Sequence, residues 1–185
     1  MPGILVIAAT DRELRAVGPW TRVRCGVGPV DAAAATAAAL AVHRPSVVLH
    51  VGIAGARRSA GLAAPSLVVG TEARYCDLTI PEEWAPRVVM APPLLVSAAC
   101  RAIPGAVACA IGTSARVGGT SGCDVEAMEG FAVLRAAQLA GVPAIEIRAI
   151  SNEIEEPDRA RWRFEEAFAA LAAATPRLVL ELSGA

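Results

Sequence analysis

The chain has 185 residues, 55% of them hydrophobic but only 4% aromatic, and a formal net charge of −1. Such a length predicts one domain, residues 1–185, that buries roughly 70% of its unfolded-chain surface around Ala, Val, Leu and Ile. The near-neutral balance offers no electrostatic footprint for nucleic acid or an anionic membrane surface, and no apolar run approaches the about 20 residues of a spanning helix. No basic-then-apolar leader opens the chain. The five cysteines, Cys25, Cys76, Cys100, Cys109 and Cys123, are odd in number and unpatterned, and read as reduced thiols of a cytoplasmic protein.

In chain order, residues 4–9 form an apolar run rich in branched side chains that predicts a central strand. It ends at Thr10, with Glu13 in the loop or first helical turn beyond. Residues 21–27 predict a second strand. The turn Gly26-Val27-Gly28-Pro29 then opens an Ala-rich helix to about His43, Pro29 being suited to a first turn. This turn is not a dinucleotide fingerprint, because Asp31 stands where the third glycine belongs. Residues 46–51 predict a third buried strand, ending in Gly52-Ile53-Ala54-Gly55-Ala56, and residues 66–75 a fourth. A short strand is expected at 88–90, a helix at 93–101 and another strand at 106–114. A helix at 155–174 and a short one at 177–182 follow. Strands alternating with helices predict an α/β fold with a mostly parallel or mixed sheet.

Residues 122–152 read as a buried helix and then a buried strand, with polar residues where a core does not want them. Asp124 is suited to N-cap the helix, and Gly141 and Pro143 stop it. At about 100° per residue, Glu129 points roughly opposite Gln138. With Gln138 toward solvent, Glu129 points inward, where a carboxylate is costly unless donors meet it. Those donors are either a structural arginine or the paired hydroxyls of a sugar. In the strand, alternation puts Glu146, Arg148 and Ile150 on one side, which allows an internal Glu146–Arg148 ion pair. His43 and His50 have no Cys or His partner at metal spacing, so neither metal nor cofactor is expected, and His50 reads as a satisfied core or interface residue. No Ser–His–acid order and no P-loop is visible.

The segments VEAMEGFAV and RAISN, which contain Met128, Glu129, Arg148, Ser151 and Asn152, resemble those of the nucleoside phosphorylase and nucleosidase superfamily. ILVIAATDREL, CGVGPVDAAAA, HVGIAGA and VVGTEARYCDL follow the same family's order over most of the chain. Within the superfamily the resemblance is nearest to the futalosine hydrolases. It implies a three-layer α/β/α sandwich with a mixed central sheet. It also implies hydrolysis of a purine N-glycosidic bond, that of futalosine in an alternative menaquinone pathway, on a small-molecule nucleoside with no nucleic acid or membrane involved. The rival readings are a methylthioadenosine/adenosylhomocysteine nucleosidase, a phosphorylase, and a non-catalytic purine-binding module. A homodimer or higher homo-oligomer is expected, both from the family and because helices this apolar leave exposed patches that mark interfaces.

The resemblance also assigns roles. Glu13 matches the general base that activates water, against the alternative of an ordinary first-turn Glu. Glu129 matches the residue that holds the 2′ and 3′ hydroxyls, a task suited to an acceptor-only carboxylate, with Met128 beside it. Arg148 matches an arginine that helps hold the water, or else pairs with Glu146. Ala54 and Gly55 line the nucleophile side of the ribose, and Ser114, Ala115 and Arg116 run beside the base. Asn152, next to Ser151, stands where adenine-nucleoside hydrolases carry Asp. It cannot pass a proton to the leaving group, but its amide offers N–H donors to N7 and O6 of a 6-oxopurine; the alternative is a turn-forming Asn. Arg116, Arg57, Arg58 and Arg87 are rivals for meeting a carboxylate on the substrate's tail.

Overall fold

In the computed structural model, which describes residues 3–16, 18–81, 83–118 and 122–184, eight strands form one mixed sheet. They are β1 Ile4–Ala8, β2 Thr21–Arg24, β3 Val47–Ala56, β4 Leu67–Tyr75, β5 Val88–Met90, β6 Val107–Thr113, β7 Val125–Ala127 and β8 Ala144–Glu153. The helices α1 Pro29–His43, α2 Pro93–Ala102, α3 Gly130–Leu139 and α4 Phe164–Leu182 flank the sheet. β1 is parallel to β2 and to the first half of β3. β8 lies parallel to β3 and antiparallel to β4, which runs parallel to β6. β6 is parallel to β7, and β7 pairs antiparallel with Gly55 and Ala56 at the end of β3. The pairing thus closes into a ring, β3-β8-β4-β6-β7, with β1 and β2 extending from it.

Alternation along β1 sorts its side chains between the two helical layers. Leu5 and Ile7 pack with α1 and α3, while Ile4, Val6 and Ala8 pack with α2 and α4. A smaller cluster of Ala54, Val68, Ile111, Val125 and Ile150 lies among the ring's own strands. The expected core of Ala, Val, Leu and Ile is present, with one exception: Arg148 ranks first among the largest fully buried side chains.

Several boundaries differ from the sequence-based expectation, among them that of β2, expected over 21–27 but ending at Arg24. β3 runs on through Gly52–Ala56 instead of ending at Val51, because β8 and β7 pair with that stretch. Asp124 caps no helix: Val125–Ala127 is drawn into the sheet between β3 and β6, and α3 begins only at Gly130. Tertiary pairing has outweighed the local capping signal. The first turn of α3 is tied down from outside instead, by the Phe131 amide donating to Thr113 Oγ1 at 2.7 Å. Gly141, with φ of 70°, ends the helix in the left-handed geometry a glycine accepts without strain.

At the C-terminal end, the expected helix at 155–174 and the break after it are replaced by a loop, a short 3₁₀ turn at Arg159–Arg161 and one continuous α4. Pro176 sits inside that helix. Leu171, Ala174, Leu178 and Leu182 bury one stripe against the sheet on both sides of it, and this packing carries the helix past a residue that lacks an N–H. Pro176 is exposed, so its replacement disturbs no core. Pro176→Ala restores one backbone hydrogen bond and relieves the ring's clash with the preceding turn, offset by added unfolded-state entropy. A net gain of about 1–2 kcal/mol, or a Tm rise of roughly 2–8 °C, is expected by thermal unfolding. An unchanged or lower Tm would show that the proline costs this helix nothing.

Candidate active site

The C-terminal ends of β1, β3 and β8, the β7–α3 junction and the start of α4 surround a cavity of about 620 Å³. Its inner wall carries Glu13, Ala54, Gly55, Met128, Glu129, Ser151 and Asn152. Glu13 sits in a turn just past β1 and is only 5% exposed. Its carboxylate accepts from the Thr10 amide at 2.9 Å, the Thr10 hydroxyl at 2.8 Å and the Ile53 amide at 3.0 Å. Burial holds it above the ordinary carboxylate range, with the Arg148 cation pulling the other way. It is not an exposed first-turn Glu.

Glu129 is the residue immediately before α3 and is 4% exposed. It reaches the inward position expected of it, from a helix start rather than from mid-helix. One oxygen accepts from the Gly28 amide at 3.1 Å and the other from Arg148 Nη2 at 3.4 Å.

Arg148 does not line the cavity; it lies behind its wall, with 0% exposure. Nε donates to Glu146 at 2.7 Å, Nη1 to the Ile53 carbonyl at 3.3 Å, and Nη2 reaches both Glu129 and His50 Nε2, the latter at 2.6 Å. Arg148 therefore makes the internal ion pair with Glu146 and also touches Glu129. Because a guanidinium only donates, His50 Nε2 accepts, which leaves Nδ1 to carry the proton and donate to the Ile7 carbonyl at 3.1 Å. Burial and the adjacent cation push the His50 pKa well below its ordinary value, so the ring is neutral. Glu146 is fully buried, and burial raises its pKa despite Arg148. Its Oε2 has no partner among the described residues.

This cluster dictates two glycines. A Cβ on Gly52 would lie 2.0 Å from Arg148 Nη1, and one on Gly130 would lie 2.1 Å from Glu146 Oε2.

Asn152 faces the cavity with Oδ1 accepting from the Ser151 hydroxyl at 2.8 Å and Nδ2 donating to the Glu153 carbonyl at 2.9 Å. One of its two amide protons is thus engaged and one is left to meet a ligand. Ser114, Ala115 and Arg116 stand off the wall. The Ser114 hydroxyl and the Ala115 amide both donate to Asp77, and the neighbouring Val117 and Gly118 line the cavity in their place. Arg57 donates to the Cys123 carbonyl and Arg58 pairs with Glu153; neither they nor Arg87 reach the wall. The cavity also has walls that the residue pattern did not suggest, among them Arg12, Arg159, Trp162, Phe164 and Phe168. In a chain with so few aromatic residues, the run Trp162-Arg163-Phe164 with Phe168 beyond it is the sequence signal for this wall. No group of three His, Cys, Asp or Glu side chains that could hold a metal occurs among the described residues.

The ring-closed mixed sheet thus carries two buried carboxylates, Glu13 and Glu129, on one cavity wall at its strand ends. The chain belongs to the phosphorylase superfamily, whose family model matches residues 14–183. Among characterised relatives it is 39% identical to the futalosine hydrolase of Streptomyces coelicolor, over 86% of this chain and 78% of that protein. It is 32% identical to the futalosine hydrolase of Thermus thermophilus, over 94% and 87% respectively. The fold matches the solved futalosine hydrolase of Helicobacter pylori with a TM-score of 0.83 at 14% identity, covering 100% of this chain and 98% of that one. It also matches a 5′-methylthioadenosine/S-adenosylhomocysteine nucleosidase of Colwellia psychrerythraea solved with adenine, at a TM-score of 0.82 and 23% identity, covering 99% and 95%.

The glycine next to Glu146 gives a direct check on the buried cluster. Gly130→Ala forces the Glu146 carboxylate off its place beside Arg148, an overpacking cost of about 1–3 kcal/mol, expected as a Tm drop of roughly 2–12 °C. A variant as stable as the parent would mean that the carboxylate has room to move.

Proposed function

We propose that the protein hydrolyses the N-glycosidic bond of a purine nucleoside, and that its substrate is futalosine, cleaved to hypoxanthine and dehypoxanthine futalosine in menaquinone biosynthesis. The observation that carries this reading is the pair Glu13 and Glu129: two buried carboxylates on one cavity wall, both under the influence of the single cation Arg148. Identity to two futalosine hydrolases supports the choice of substrate.

In this mechanism Glu129 accepts from the 2′ and 3′ hydroxyls and fixes the sugar. Glu13 takes a proton from a water as its oxygen bonds to C1′, and the C1′–N9 electron pair leaves with the base. Its raised pKa makes it a stronger base than an ordinary carboxylate. The free Asn152 amide proton meets the purine edge and stabilises charge developing there. Arg148 does not touch substrate; it holds Glu129 in position and offsets its charge, and the neutral His50 ring holds the guanidinium. The Gly26–Gly28 turn has basic neighbours, Arg12 and Arg24. Each is paired with a carboxylate, Glu165 and Asp11 respectively, which favours water over phosphate as the nucleophile. The same reading has the enzyme in the cytoplasm, where its five free thiols stay reduced. It also has the enzyme as a homo-oligomer, for which Val27 and Val30, 57% and 79% exposed near the cavity, offer an apolar surface.

Release of free base from futalosine, inosine and methylthioadenosine, with and without phosphate, tests this function. Phosphate-independent hypoxanthine release from futalosine is expected, and its absence would sink the reading. Glu13→Gln should lower kcat/KM by roughly 10²- to 10⁴-fold with the fold retained. Because a general base works deprotonated and burial raises the Glu13 pKa, kcat/KM should fall on the acid side at a pH above 4.5. A pH profile flat through the carboxylate range would remove Glu13 from the chemistry.

A protonated Asp from Asn152→Asp presents a donor and an acceptor in place of the one free amide proton, which suits N7 and the amino group of adenine. A buried polar mismatch costs about 1–3 kcal/mol, so the hypoxanthine-to-adenine preference should shift roughly ten- to a hundredfold toward adenine nucleosides. An unchanged ratio in a folded, active variant would mean that Asn152 does not read the purine edge.

A further inference from the structure

One buried acid has no part in the mechanism above. Glu146 lies at 0% exposure on β8, in register with His50 of β3. On its other side runs β4, where a Cβ on Gly70 would lie 3.3 Å from that of Glu146. Its carboxyl rests against Gly130, the first residue of α3. It does not line the cavity.

Donors are unequally shared among the three acids around Arg148. Glu13 accepts from the Thr10 amide, the Thr10 hydroxyl and the Ile53 amide. Glu129 accepts from the Gly28 amide and from Arg148 Nη2. Glu146 accepts from Arg148 Nε through Oε1, and its buried Oε2 meets no donor among the described residues. The nearby helix start does not supply one, because the Phe131 amide is turned to Thr113 Oγ1. The other titratable groups around Glu146 add no positive charge. His50 on β3 is neutral, Cys109 on β6 is a thiol pushed up to about 11, and Glu129 at the start of α3 is itself an acid. With all three acids ionised, one cation would face three negative charges in a place nearly closed to solvent. A buried carboxylate short of donors takes up a proton instead. As a neutral acid it still offers an oxygen to a guanidinium donor.

We propose that Glu146 holds Arg148 as a protonated, neutral acid: a positioning residue that seats the guanidinium while leaving its single charge to Glu13 and Glu129. The 2.7 Å contact from Nε to Glu146 is then a hydrogen bond from a cation to a neutral partner. Burial moves the Glu146 pKa in the matching direction, upward despite the adjacent cation. The catalytic consequence rests on the nucleosidase reading above, in which the base and the hydroxyl acceptor both work ionised. Of three acids competing for one proton, the acid behind the wall keeps it, and the two on the wall stay negative.

The test compares the parent with Glu146→Gln, which keeps an oxygen for Nε and is uncharged at every pH. At neutral pH the parent should show the infrared carbonyl stretch of a protonated carboxyl group, and Glu146→Gln should lack that band. Stability should diverge with pH in a set direction. Because burial raises the Glu146 pKa above 4.5, the folded parent keeps a proton that the unfolded chain gives up, and its stability falls as pH rises from there. Glu146→Gln has no such proton, so its Tm relative to the parent should climb between pH 4.5 and 7. In the pH profile of kcat/KM for futalosine, the acid limb should stay where the parent has it, since Glu146 carries no charge while Glu13 titrates. Absence of the infrared band from the parent overturns the proposal. So does a variant that fails to fold, one whose Tm falls behind the parent as pH rises, or one whose acid limb moves to lower pH. If no nucleoside is cleaved, the nucleosidase reading fails, and the infrared and Tm results still decide the state of Glu146.

Discussion

One guanidinium holds the inner site together. Arg148 is fully buried, and its donors go to Glu146, Glu129, His50 and the Ile53 carbonyl. A buried charge is tolerated only when paired and hydrogen-bonded, and removing one member of such a pair costs about 3–5 kcal/mol. The surroundings are shaped to that requirement. Gly52 and Gly130 leave room for the guanidinium and for the Glu146 carboxylate. His50 is kept neutral with its acceptor nitrogen turned to the cation. The backbone of β3 passes close enough for Ile53 to donate to Glu13 and accept from Arg148.

The same cluster explains why two carboxylates can face one cavity without cancelling each other's use. A single cation influences Glu13, Glu129 and Glu146, so charge compensation is incomplete and burial raises the pKa of Glu13 and Glu146. Glu13, hydrogen-bonded yet raised, is left in the state a general base needs. Glu129, with one oxygen on a backbone amide and one on the guanidinium, is left with acceptor capacity toward the cavity. Nearby Cys25 is a nucleophile by residue type only: burial and the surrounding carboxylates push its thiol up to about 12, so it stays protonated and inert.

Ring closure of β3, β8, β4, β6 and β7 supplies the geometry. It brings Gly55 of β3 beside Asn152 of β8, and it pulls Val125–Ala127 into the sheet so that Glu129 emerges just before α3. The chain then leaves β8 and turns across the cavity mouth before entering α4. Three of its seven aromatic side chains therefore stand on the outer wall, while the core between the layers is mostly aliphatic.

Much of this was legible in the residue order. The alternation of apolar runs and Ala-rich helical stretches determined the α/β class. The Pro29 start and Gly141 end of two helices follow from fixed local rules of φ and hydrogen bonding. The inward placement of Glu129 and the Glu146–Arg148 pairing were readable from periodicity. The tertiary structure decided what local rules could not. Whether residues 124–127 cap a helix or join a sheet depends on a vacant strand position between β3 and β6, which no window of a few residues contains. Pro176 stays inside a helix because the stripe on either side of it buries against a distant sheet. Which arginine stands free at the cavity depends on which carboxylates the fold brings to the others. The sequence carries seventeen Lys and Arg against eighteen Asp and Glu, and only their arrangement in space leaves Arg159 without an acidic partner among the described residues while Arg148 is enclosed by three acids.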